Sequence, residues 1–142
     1  MAFTRHFLKT LNFVYSRCTG TLDDQDLRVH VLSFQVESKG LPFVRELLDF
    51  RQVQRAGNLT VQGMVEICDL ERQRSDDRDF RLAILAAPPI MIKIAQVYAL
   101  LIRTENLAVR VFDDDVATPL VWLGYGVADR KRLTAFIARH RA

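Results

Sequence analysis

The segment RLAILAAPPIMIKIAQVYALLI (81–102) limits what this chain can fold into more than any other. Its first part, Arg81 to Ala87, is a nearly continuous apolar run of strand length. A strand with one wet face alternates apolar and polar residues. An unbroken run has no wet face and is typical of a parallel sheet covered on both sides. Pro88-Pro89 ends the run and starts a helix, because proline is tolerated in a helical first turn. That helix is expected to reach about Thr104. A buried strand followed by a helix is one βα unit, and such units occur in series.

The rest of the chain supplies the series. Phe13 and Tyr15 alternate with Val14, Ser16 and Cys18 in a strand ending at Gly20, and Arg5 to Leu8 can pair with it through a turn at Lys9 to Asn12. Thr21 followed by Asp24 fits a capping box, and Leu27, Val31 and Phe34 follow at helical spacing, with His30 at the helix edge. Lys39-Gly40 ends that helix. VRELLDF (Val44 to Phe50) reads as a strand and RQVQRAGN as the loop after it. Asn58 or Thr60 can cap a helix whose apolar stripe is Val61, Met64, Val65 and Cys68, with Glu66, Asp69, Glu71, Arg72 and Arg74 opposite. LAVRVF (Leu107 to Phe112) is the last strand. Asp113, Asp114 and Asp115 precede a short helix with Pro119 in its first turn, and Gly124 closes it. Leu133, Phe136 and Ile137 make one side of a short amphipathic helix in the tail. The expected fold is α/β: one domain, a mostly parallel four- to five-stranded sheet flanked by helices over residues 1–124, then a basic C-terminal helical extension over 125–142.

Composition removes several function classes. The chain has 142 residues, 49% hydrophobic and 26% charged, enough for a core without disulfides or metal. Cys18 and Cys68 form no CxxC pair and read as buried thiols. The N-terminus lacks a signal-peptide h-region. The longest apolar stretch, Ile90 to Ile102, is broken by Lys93 and Gln96 and falls short of the roughly 20 residues of a membrane span. A soluble, cytoplasmic protein is expected. The net charge is +3, but it is uneven. From Tyr125 onward five basic residues face Asp129 alone, while the first 124 residues carry 15 basic and 16 acidic side chains. The basic character belongs to the tail, which argues against nucleic-acid binding by the domain. In the tail, Arg130-Lys131-Arg132 reads first as a solvated face, with a contact for phosphates or an anionic membrane surface as the alternative.

Four segments, taken together in order and spacing, resemble bacterial STAS/SEC14-like domains, a family related to the anti-sigma factor antagonists. FVYSRCTGTLDDQDL resembles their opening strand, glycine and acidic helix start. LLDF resembles the second core strand. RLAILAAPPIMIKIAQVYALL resembles the apolar strand and its helix. LAVRVFDDDVATPLVWLG resembles the closing strand, acidic turn and Trp-Leu-Gly ending, with the turn about one residue longer. The resemblance spans roughly residues 5 to 124. Anti-sigma factor antagonists carry a phosphorylatable serine at the start of the helix after the second core strand. The matching stretch here is Ala56-Gly57-Asn58-Leu59-Thr60, without a serine. Thr60 holds the nearest hydroxyl, and it either receives a phosphate or caps the helix.

No residue pattern points to catalysis. GxSxG, P-loop and GxGxxG are absent, His6, His30 and His140 have no metal-ligand spacing, and no cofactor is implied. Asp113 to Asp115 could meet a cation, but without a calcium-loop glycine or partner carboxylates they suit a helix dipole better. The informative element is the helix from Pro89. Met91, Ile94, Ala95, Tyr98, Leu101 and Ile102 form its core stripe, but Ile90, Val97, Ala99 and Leu100 widen the apolar surface over most of the circumference. Such a helix is covered on more than one side. The cover is a second copy of the chain, the chain's own tail, or a small apolar, lipid-like ligand. The expectation is a non-catalytic interaction or regulatory module, a homodimer or partner-binding domain, with a ligand carrier as alternative. An enzyme whose site is not visible in the sequence ranks third. The candidate contacts are Asn58 and Thr60 at one helix start, and Ile90, Met91, Val97 and Tyr98 on the apolar helix.

Overall fold

The computed structural model describes residues 2–73, 76–113 and 115–141. Five strands form one sheet in the order β1-β2-β3-β4-β5. They are β1 (Phe3–Leu8), β2 (Phe13–Thr21), β3 (Val44–Arg55), β4 (Phe80–Leu85) and β5 (Leu107–Phe112). β1 and β2 are antiparallel, joined by a 3₁₀ turn and Asn12 in the left-handed region (φ 52°). All later neighbours are parallel.

The helices α1 (Asp24–Glu37), α2 (Val61–Arg72) and α3 (Pro89–Ile102) make the three parallel crossovers. Their buried residues share one core cluster with Val14, Cys18, Leu48, Ile84 and Val109. Alternate strand residues, Phe13, Tyr15, Leu47, Ala83 and Leu85, point to the other face. There they meet α4 (Ala117–Trp122) and α5 (Val127–Arg141) through Leu120, Leu133, Phe136 and Ile137. Strands wound always in one direction put every crossover on one side. Among the described residues, the second side is closed by the two helices after β5.

Several sequence expectations need correction. β2 runs to Thr21, so that residue does not cap α1. Asp23 does, accepting from the Asp26 amide at 2.8 Å while the Asp26 carboxylate accepts from the Asp23 amide. β3 continues to Arg55 through residues expected to be loop, because the long β2 offers partners: Thr19 pairs with Gln52, Gly20 with Val53 and Thr21 with Arg55. Val53 is buried there. The buried side of α2 is Gly63, Met64, Ile67 and Cys68, while Val61 and Val65 face outward. The stripe is rotated because Gly63, lacking a side chain, lets α2 lean on Asp24 of α1. His30 is not at an edge but 5% exposed, since β1 and β3 supply polar partners for its ring. Arg74 and Asp114 lie outside the described residues.

α3 begins at Pro89, with Pro88 in the capping position. Met91, Ala95, Tyr98, Ala99 and Ile102 are its buried residues, and Ile94 and Leu101 are half-buried. The tail does not cover its remaining apolar side. The buried residues of α5 belong to the cluster on the opposite face of the sheet.

Candidate functional site

In parallel sheets the carboxyl ends of the strands, where the chain turns into helices, are the usual place for ligands. Here that end is formed by the β2–α1, β3–α2 and β4–α3 connections. Asp24 and Thr60 lock the first two together. The Asp24 carboxylate accepts from the Thr60 amide at 2.8 Å and from the Thr60 hydroxyl at 2.6 Å. The same hydroxyl accepts from the Gly63 amide at 2.9 Å and so caps α2. The carboxylate therefore occupies the electropositive start of α2, where an anion is favoured.

This clasp determines why residue 63 is glycine. A Cβ at Gly63 would collide with the Asp24 carboxyl group. Gly63→Ala is therefore expected to destabilise the protein by about 1–2 kcal/mol, the lost charged hydrogen bonds outweighing the better helix propensity of alanine. In an Asp24→Ala background the collision is gone and the same change becomes neutral or stabilising. Urea unfolding of the four proteins of this cycle measures both values. A cost unchanged by Asp24→Ala would contradict the clasp.

Beside the clasp lies an apolar groove of about 340 Å³. Val53, Ala56 and Leu59 form one wall, and Ile90, Met91 and Ile94 of α3 the other. Ile90 is 64% exposed at its rim and Met91 is buried in its floor. The six candidate contact residues thus divide. Ile90 and Met91 line the groove and Asn58 sits exposed in the turn next to it. Thr60 faces Asp24. Val97 lies two turns along α3 and is 38% exposed, followed by Leu100 at 68%. Tyr98 packs in the core.

Two buried polar chains had no counterpart in the sequence reading. On the α1 side of the sheet the Ser16 hydroxyl donates to Glu46 at 2.6 Å, and the His30 Nε2 is 3.4 Å from the same Glu46 oxygen. Arg5 contacts His30 Nδ1 at 2.7 Å. On the α5 side the Tyr15 hydroxyl donates to Asp49 at 2.7 Å, and Arg51 grips the same carboxylate with Nε at 2.9 Å and Nη2 at 2.8 Å. Burial would raise the Asp49 carboxyl, but the donors from Arg51 and Tyr15 overcome it and hold it below the usual range. Burial raises the Tyr15 hydroxyl, and the Asp49 bond adds to that. The available signal was the two acids, Glu46 and Asp49, within the expected strand VRELLDF, since a charge inside a covered sheet is paired.

Burial pushes the Cys18 and Cys68 thiols up to about 12, against the low values of reactive cysteines. Ser16 is fully buried and donates to a carboxylate rather than to a histidine. Asp115 accepts from the Ala117 and Thr118 amides at the start of α4, the helix-start role. Among the described residues no group of three or more His, Cys, Asp or Glu could hold a metal ion. No helix among them is long and apolar enough to cross a membrane.

The chain matches no protein-family model and no curated protein sequence. Its structure does find a neighbour. An uncharacterized DUF3478-family protein with a SpoIIAA-like fold, from Shewanella loihica PV-4, superposes with a TM-score of 0.56 over 86% of this chain and 92% of that one, at 16% identity. The chain has the SpoIIAA-like, STAS-type fold. The strand order, the α1–α3 layer and the C-terminal helix described above are its version of that fold.

Proposed function

We propose that this SpoIIAA-like domain is a non-catalytic interaction module that pairs with a second copy of itself through the outer side of α3. The observation that carries the reading is that side's composition and exposure. Ile90 and Leu100 are 64% and 68% exposed and Val97 is 38% exposed. The neighbouring α2 adds Val61 at 63% and Val65 at 38%. Lys93 is the one charged residue of α3. Helices of small domains normally turn charge to water, and an apolar exposed side marks a contact surface. The tail helix is engaged on the other face of the sheet, through Leu133, Phe136 and Ile137.

Phosphorylation at Thr60 does not belong to this reading. Its hydroxyl is held by Asp24, and a phosphate there would be pressed against that carboxylate. The expected partner surface is the α3 side and the adjoining turn at Asn58.

Sedimentation of the full chain tests the proposal. The native protein is expected to sediment as a dimer, and Val97→Glu or Leu100→Glu as a folded monomer. Both variants replace exposed side chains, so folding is expected to survive. A native monomer, or a dimer untouched by both changes, overturns it. The groove beside Met91 supports a second reading, a carrier of a small apolar ligand, because its volume lies within the range of small-molecule sites. Native mass spectrometry separates the two: a carrier retains extra non-covalent mass, and a docking module does not.

A further inference from the structure

We infer that the outer edge of β1, together with the cavity between β1 and α1, is a docking groove for an extended, basic segment of another protein, which adds to the sheet as a further strand. β1 is an outer strand, with β2 as its one neighbour among the described residues. The Thr19 amide donates to the Ala2 carbonyl at 2.9 Å, Thr4 lies opposite Arg17, and His6 lies opposite Tyr15. In an antiparallel pair every second residue turns its N–H and C=O to the partner strand. Ala2, Thr4 and His6 therefore serve β2, and Phe3, Arg5 and Phe7 turn theirs outward. Proteins usually guard such an edge with exposed charge. The arginine of β1 gives no such guard. The Arg5 side chain is 8% exposed and lies against α1, where it pairs with Glu37 and donates to the His30 carbonyl at 2.9 Å.

The cavity beside this edge selects the occupant. It measures about 370 Å³, within the range of binding sites, and lies between the strand and the helix. Its apolar lining is Ala2, Phe3 and Val29, with the Phe3 ring stacked on His30 at 4.2 Å between centroids. Val36, two turns beyond Val29 and 72% exposed, continues the apolar rim along α1. The charged lining residues are Arg5, Asp26 and Glu37. Glu37 answers Arg5, so Asp26 leaves the groove acidic on balance, which disfavours a carboxylate or phosphate ligand. The Arg5 Nε is buried and, among the described residues, has no partner. In an acidic groove it calls for an acceptor without charge. An open row of backbone donors and acceptors, an apolar cavity, a place for a neutral oxygen and a surplus acid together describe an extended peptide. Its apolar side chain enters the cavity, and a lysine or arginine meets Asp26. Strand addition is a recurring mode of peptide recognition, in which the backbone ladder supplies affinity and pockets for alternate side chains supply specificity.

The test selects binders to the full chain from a phage library of random short peptides and remakes the best one synthetically. Selected sequences should be rich in Lys and Arg and poor in Asp and Glu. In nuclear magnetic resonance spectra the peptide should shift the amides of Phe3, Arg5 and Phe7, and leave those of Val97 and Leu100 on α3 in place. Alternate N-methylation then reads the ladder. Methylating every second residue in one phase should weaken binding about tenfold or more through the ladder bonds lost, while the opposite phase should change it less than about twofold. Replacing the peptide's basic residue by glutamine should weaken binding to the native protein but not to Asp26→Asn, whose side-chain oxygen can still accept from the Asp23 amide. A library that yields no binder overturns the inference. So does a peptide that shifts α3 or the groove beside Met91 instead of β1, or one indifferent to the phase of methylation. Pairing through α3 is read separately by sedimentation, so either reading can fail alone.

Discussion

A chain ended after Gly126 is expected not to fold. Such a protein lacks α5, and with it Leu133, Phe136 and Ile137, the first fully buried and the others 8% and 2% exposed. Burying a large apolar side chain contributes about 1.5–3 kcal/mol. Three of them rival the whole stability of a typical domain, about 5–15 kcal/mol. The loss is not confined to the helix. Phe13, Tyr15 and Leu47 would face water beneath it. Arg17 would lose the carbonyls of His140 and Arg141, which its Nη1 now satisfies at the end of α5. The Tyr125 hydroxyl, which donates to the Leu11 carbonyl at 2.6 Å, would be a lone tie between the β1–β2 turn and the end of the shortened chain. Circular dichroism and soluble yield measure the outcome. A truncated protein with the native spectrum and a cooperative melt would show that α5 is an accessory.

Asp49→Ala should cost about 3–5 kcal/mol, the usual result of removing one partner from a buried charge pair. The change strands the Arg51 guanidinium and leaves the buried Tyr15 hydroxyl without its acceptor. Tyr15→Phe should cost far less, because the Arg51–Asp49 fork survives. Acid unfolding carries the sign. The folded carboxyl of Asp49 lies below its unfolded value, so its contribution is present above about pH 4, the unfolded value. It is lost as the pH falls through the folded value. Asp49→Asn removes that part of the acid sensitivity. Urea midpoints across the acid range test this, and parallel curves for native and Asp49→Asn proteins would contradict it.

The sheet was legible because its last two strands are the least ambiguous text in the chain. RLAIL and LAVRVF have no other comfortable place. The extension of β3 was not legible, because Arg51, Gln52, Gln54 and Arg55 read as loop in isolation. They become strand only because β2 runs alongside. Met64 and Cys68 of α2 showed their burial, but its exact phase depended on Gly63 touching Asp24, a contact between residues 39 apart in sequence that no local pattern reveals. The candidate site was half visible. The width of the apolar surface on α3 named Ile90 and Val97, while the Asp24–Thr60 clasp and the two buried polar chains are joined across strands. Their members read singly as helix caps, strand residues and an edge histidine.

The one-way winding of the sheet also has a consequence in time. A ribosome delivers β1 to β5 and the three crossover helices before it delivers α5. A nascent chain that has emerged only as far as Gly124 can complete one side of its sheet and must hold Phe13, Tyr15 and Leu47 bare on the other, where only α4 has arrived. For that interval the molecule presents the sticky surface that chaperones bind and that seeds aggregation. Synthesis conditions that slow this last stretch should lower the yield of folded protein more than the same delay placed after β1.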